Sequence, residues 1–167
     1  MYKLSEHLTY KEAIVSLTAK KWGIDNTPNN EQLLNMVELA KNVFEPIREH
    51  FKVPLFVSSM FRSEALNKKL KGAEDSQHCK GEAMDIDADM FSEITNEEIF
   101  FYILHNLDYD QLILEDVTKG KAAWVHVSYK KEGNRKEALF MYRDEDNKPV
   151  YKKYSKESLK EFIKDIE

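Results

Sequence analysis

A change in hydrophobic period near residue 53 constrains this chain more than any other feature. Before it, Leu33, Leu34, Val37, Ala40, Val43, Phe44 and Ile47 recur at helical spacing through EQLLNMVELAKNVFEPIREHF. After it, EAMDIDADM alternates, with Met84, Ile86, Ala88 and Met90 on one side and Ala83, Asp85, Asp87 and Asp89 on the other. That is the period of a half-buried strand. Helices come mostly first and strands mostly later, which predicts an α+β fold with helices packed on a small, largely antiparallel sheet. A chain of 167 residues suits one domain, 1–167, with its own core, and no linker, repeat or low-complexity segment divides it.

Local signals place the elements. Thr9 and Glu12 have capping-box spacing and predict a helix through AIVSLTAKKWG that stops at Gly23. GIDNTPNN is turn chemistry, and Pro46 should kink or break the helix that carries it. VPLFVSS reads as a strand, and Ser63 caps a short helix, EALNKKLK, closed by Gly72. Thr95 and Glu98 repeat the capping-box pattern ahead of the apolar helix IFFYILHNL. YDQLILE and AAWVHVSY read as strands, and ALFMYR with KPVYKKY as a hairpin around DEDN. Ser155 is expected to start a C-terminal helix with Leu159, Phe162, Ile163 and Ile166 facing inward.

Composition excludes several function classes. Hydrophobic residues at 42% and charged residues at 33% fit a soluble globular protein rather than a disordered one. The net charge is −5 and no basic stripe stands out, which argues against a nucleic-acid partner. Cys79 is the only cysteine, so no internal disulfide forms. MYKLSEHLTYKEA has no apolar core of a secretory signal, and no run of apolar residues is long enough for a membrane span. Synthesis in the cytoplasm without a signal peptide is the expectation.

The chemistry concentrates in SQHCKGEAMDIDAD. His78 and Asp85, seven residues apart, converge if the chain turns at Gly81 and continues as a strand. Imidazole plus carboxylate is part of a zinc shell, and a catalytic zinc needs a third protein ligand and an open position. In WVHVSY, Trp124, His126 and Ser128 share a face, and His126 is the candidate; a surface histidine on an exposed sheet face is an equal alternative. A calcium loop starting at Asp85 fails, because Met90 and Asn96 stand where Gly and Glu are required. Cys79 reads as a bystander, and His7, His50 and His105 as structural or solvated.

SSMFRS, SQHCKGEAMDI and WVHVSY, in this order and at these separations, resemble the motifs of the zinc D-Ala-D-Ala carboxypeptidase family, which includes related peptidoglycan endopeptidases. The likeness is to its compact phage- and prophage-associated members, and LSEHLTYKEA, GIDNTP, VFEPIREH and YDQLILE extend it over most of the chain. The resemblance implies a Hedgehog/DD-peptidase-like fold and a Zn2+ cofactor held by His78, Asp85 and His126. It makes Arg62 the arginine that pairs with a substrate carboxylate or carbonyl, a task suited to a guanidinium fork. Ser76 and Gln77 would hydrogen-bond in the loop before His78, with Trp124 beside the substrate, and Gly81 and Ala83 would be small because backbone approaches the metal loop closely.

Two positions depart from the family pattern. Met60 stands where Gly is common, which would narrow the pocket near Arg62. Ala123 stands where several branches carry an acid, three residues before the last histidine ligand. Glu115, ending YDQLILE on the face of Gln111 and Ile113, is the substitute general base, and Asp87 is a weaker one. The implied activity is zinc-dependent hydrolysis of a peptide bond in peptidoglycan stem peptides, as a D,D-carboxypeptidase or an endopeptidase. The expected protein is a monomer that reaches the wall if released, as a phage lysin is. The alternative is an inactive zinc-containing binding or phage structural module, which Ala123 keeps open.

Overall fold

The computed structural model describes residues 2–90 and 93–155. The sheet has six strands: β1 (Phe56–Ser59), β2 (Ala83–Asp87), β3 (Gln111–Glu115), β4 (Trp124–Ser128), β5 (Glu137–Arg143) and β6 (Pro149–Lys153). Their spatial order is β1-β2-β4-β3-β5-β6. Every pairing is antiparallel except β3 with β5, which is parallel. The α+β class and the β5–β6 hairpin therefore form as expected. The expected C-terminal helix at Leu159, Phe162, Ile163 and Ile166 lies outside the described residues.

One face of the sheet is core. Met84 and Ile86 of β2, Leu112 and Leu114 of β3, Val125 and Val127 of β4 and Phe140 of β5 are buried. They join one apolar cluster with residues of α3 (Asn30–Leu39), α4 (Glu45–Phe51) and the helix Asn96–Asn106. The strict alternation of β2 ends at Asp87, because Ala88–Met90 turns as a 3-10 helix rather than extending the strand. The opposite face carries Asp85, His126, Ile113 and Glu115 and is left for the site.

The first helix differs from its expectation. It splits into α1 (Tyr10–Ile14) and α2 (Leu17–Trp22), with Val15 extended between them. Ser16 is the cause: its hydroxyl accepts from the Ala19 N–H and starts a second helix. Thr9 forms the capping box with Glu12, and Gly23 ends α2 in the left-handed conformation, as the spacing predicts. Pro46 marks a break in the α-helical pattern, as expected. A π-turn over Ala40–Phe44 precedes it, and Pro46 falls in the first turn of α4, where a missing N–H costs little.

The loop that brings His78 to the sheet is clamped by α3. Gln32 Nε2 donates to the Cys79 carbonyl and Asn35 Nδ2 to the Lys80 carbonyl. Gly81 closes this 3-10 turn at φ +73°, and a Cβ there would stand 2.3 Å from the Gln32 carbonyl oxygen. Glycine is required, as expected, but the close approach is to the α3 backbone rather than to the metal loop.

Candidate metal centre

Cross-strand register builds the centre. Asp85 pairs directly with His126 between β2 and β4, and a bulge in β1 sets Ser59 opposite Asp85. His78 enters from the 3-10 turn Gln77–Lys80. One ligand atom from each of His78, Asp85 and His126 lies within 4.8 Å of the others. His78 Nε2 is 3.3 Å and His126 Nδ1 2.9 Å from Asp85 Oδ1.

Hydrogen bonding fixes the orientation of His78. Its Nδ1 donates to the Met60 carbonyl at 2.6 Å, so in the neutral ring Nε2 carries a lone pair. That lone pair faces a carboxylate oxygen, another acceptor. Either a proton on Nε2 or a metal ion between the two atoms satisfies this pair. A tetrahedral shell with bonds of about 2.0–2.1 Å spaces its ligand atoms about 3.3 Å apart, so the donor set and the His78–Asp85 separation fit zinc. Met60 takes part through its carbonyl. Its side chain is buried in the core and does not narrow the pocket, because β1 ends there and turns it inward.

Asp85 is held ionised. Burial alone would raise its pKa, but the charge of His78 and hydrogen bonds from both histidines outweigh burial and hold the carboxyl far below the usual range. Arg62 adds to this geometry. Its Nη2 donates to Asp85 Oδ2 at 2.6 Å and its Nε to Ser59 Oγ at 2.8 Å. Much of the fork expected to meet substrate is thus directed at Asp85, leaving Oδ1 toward the histidines. The loop carrying Arg62 is stapled by Asn26, a residue the motifs did not single out. Asn26 Nδ2 donates to the Phe61 and Ile14 carbonyls, and Asn26 Oδ1 accepts from the Ser63 N–H.

Glu115 lies one row along the same face. It pairs with Trp124, while Ile113 pairs with His126. Its residue is 8% exposed. Burial pushes its carboxyl up from 4.5 to about 7; His126 and Arg143 oppose the rise, and Asp85 and Asp116 add to it. Ala123 sits against it, its N–H donating to the Glu115 carbonyl at 2.9 Å. The neighbouring strand thus brings a carboxyl next to the position where an acid was missing. Asp87 does not line the cleft that holds these groups.

That cleft measures about 770 Å³. Arg62, Ser76, Gln77, Trp124 and Glu115 line it with the His78, Asp85 and His126 cluster. Gln77 Nε2 donates to Glu82 Oε2 at 3.3 Å, and the Ser76 carbonyl accepts from the Cys79 N–H. Cys79 is half-buried and burial raises its thiol pKa, so it is a poor nucleophile. His7 is tied to Glu45 at 2.7 Å, His50 stacks on Tyr102 and His105 on Phe101, away from the cleft. Arg143 and Tyr151, also in the lining, come from β5 and β6 and carried no sequence signal.

Comparison with curated proteins finds no match. The family model for peptidase M15 matches residues 6–128, a span that holds all three members of the cluster, Arg62 and Glu115 and ends with β4. The chain belongs to the peptidase M15 family, a family of metallopeptidases that typically use zinc.

Proposed function

We propose that the chain is a single zinc peptidase domain of Hedgehog/DD-peptidase-like fold, acting as a monomer on peptidoglycan stem peptides. The observation that carries this reading is the convergence of His78, Asp85 and His126 beside a buried, proton-holding Glu115 in one cleft. His78 Nε2, Asp85 Oδ1 and His126 Nδ1 would hold the ion. Zinc bound there supplies Lewis acidity, polarising a peptide carbonyl and acidifying water.

The chain's own groups do the rest. Glu115, with a pKa near the working pH, accepts a proton from the attacking water and returns it to the leaving amine. Arg62 orients Asp85 through Nη2, and its guanidinium lines the cleft where substrate charge would lie. Trp124, Ser76 and Gln77 line the path of the peptide. Hydrolysis then proceeds without a covalent intermediate, as a D,D-carboxypeptidase or endopeptidase, with release as a phage-type lysin one route to the wall. No described helix is long and apolar enough to cross a membrane.

Mass spectrometry of muropeptides after digestion of purified peptidoglycan tests the reading. Either loss of terminal D-Ala or new peptide termini is expected, and the products identify the bond. Intact muropeptides after incubation with zinc-loaded protein would overturn it. The second reading, an inactive zinc-containing binding or phage structural module, rests on Ala123, and that outcome would select it.

A further inference from the structure

The β5–β6 hairpin lies beyond the family match, yet it forms one wall of the cleft. Met141 pairs with Tyr151 and Arg143 with Pro149, and all four line it. On this face Tyr151 and Arg143 are diagonal neighbours, within reach of each other's long side chains. Tyr151 interacts electrostatically with both Glu115 and Arg143.

Two arginines of this region differ in what they have left to offer. Arg135 directs Nε and Nη2 into Asp110, whose residue is only 1% exposed and which also binds Lys130. That fork is spent on structure. Arg143 makes one contact to Asp116 through Nε at 2.9 Å and one to the Asn147 carbonyl through Nη1 at 3.3 Å. The Asp116 partner is solvent-accessible, so the pair is screened and weak. Among the described residues, Arg143 Nη2 has no hydrogen-bond partner. The Tyr151 hydroxyl adds a second donor, and the Tyr151 residue is 51% exposed.

We propose that Arg143 and Tyr151 form a carboxylate-binding subsite that engages an acidic residue of the peptide two to four residues from the bond cut. A guanidinium edge and a phenol match a planar carboxylate better than a neutral amide. Distance sets the register. Arg143 stands two strands from His126 and four residues along from Leu139, which shares the His126 row through Ile113. At about 4.8 Å between strands and about 3.3 Å per residue, the backbones are on the order of 15 Å apart. The Arg143 side chain shortens this to a few residues of extended peptide. Such a subsite lies too far out to read the terminus of a dipeptide and selects a longer acidic stem.

The inference rests on the peptidase reading, and the test separates the two. Synthetic stem peptides are prepared with the distal carboxylate free or amidated. On wild type, amidation should raise KM about tenfold, about one lost charged hydrogen bond, with kcat within about twofold. Arg143→Gln should raise KM equally for the free acid and leave the amidated peptide unaffected. An equal loss on both peptides, or no loss, overturns the subsite. Circular dichroism and thermal melting check that the variant is folded. Should wild type cleave neither peptide, calorimetric binding to the zinc-loaded protein decides. A preference for the free acid that Arg143→Gln abolishes supports the subsite while the peptidase reading fails. No preference overturns the subsite.

Discussion

The two sides of the cleft are built differently. On the β2–β4 side, three potential ligands are fixed by direct register, a clamped turn and buried hydrogen bonds: Asp85 opposite His126, His78 bound to the Met60 carbonyl, Arg62 on Asp85. On the β3–β5–β6 side, Glu115 is buried with no ion-pair partner among the described residues, and Arg143 and Tyr151 project from a hairpin with weak, accessible contacts. The contrast teaches a division of labour. The first side suits holding a cation rigidly, and the second suits moving a proton and meeting a peptide.

The largest effect should come from breaking the rigid side. His126→Ala or His78→Ala should abolish zinc retention and lower hydrolysis more than about 100-fold, beyond the loss typical of an outer-shell change. Metal analysis of the purified variant checks it. Next comes the other side. Glu115→Gln should keep zinc yet lower kcat by about 10²–10⁴. Because the base acts deprotonated, wild-type kcat/KM should rise with pH, reach half its maximum near 7 and level off about one unit above, and the variant should lose that acid limb.

The same carboxyl makes a stability prediction. With its pKa raised from 4.5 to about 7, the folded protein binds more protons than the unfolded chain between those values. Stability of chelated protein should therefore fall as pH rises through that window, by about 3 kcal/mol. Glu115→Gln should flatten the fall, as read by denaturant unfolding at pH 5 and pH 8. A smaller loss, about 10–100-fold in zinc affinity, is expected for Arg62→Gln, with hydrolysis partly restored by excess zinc. Unchanged zinc affinity with a raised KM would instead make Arg62 mainly a substrate contact. Smallest of all, Asp116→Asn should change stability by less than about 1 kcal/mol, because its partner Arg143 is exposed.

The three-residue cluster was legible through the resemblance of SQHCKGEAMDI and WVHVSY to the family motifs, while spacing and period alone left His126 even with a surface histidine. Glu115 was legible only in part. Its strand face could be read, but its nearness to position 123 comes from the β3–β4 register. Arg143 and Tyr151 were not legible. Their approach depends on β5 lying parallel beside β3, a long-range pairing that leaves no periodic trace. The break at Val15–Ser16 was missed for a smaller reason: a serine hydroxyl outcompeted a continuous apolar pattern. At Pro46 the break expected in the helix takes the form of a π-turn just before the proline.

Zinc titration of chelator-stripped protein, read as hydrolysis of purified peptidoglycan, tests the central claim most directly. Activity should be absent in the stripped protein and return in proportion to bound zinc, saturating at about one equivalent. Full activity without metal, or no activity at saturation, would contradict it.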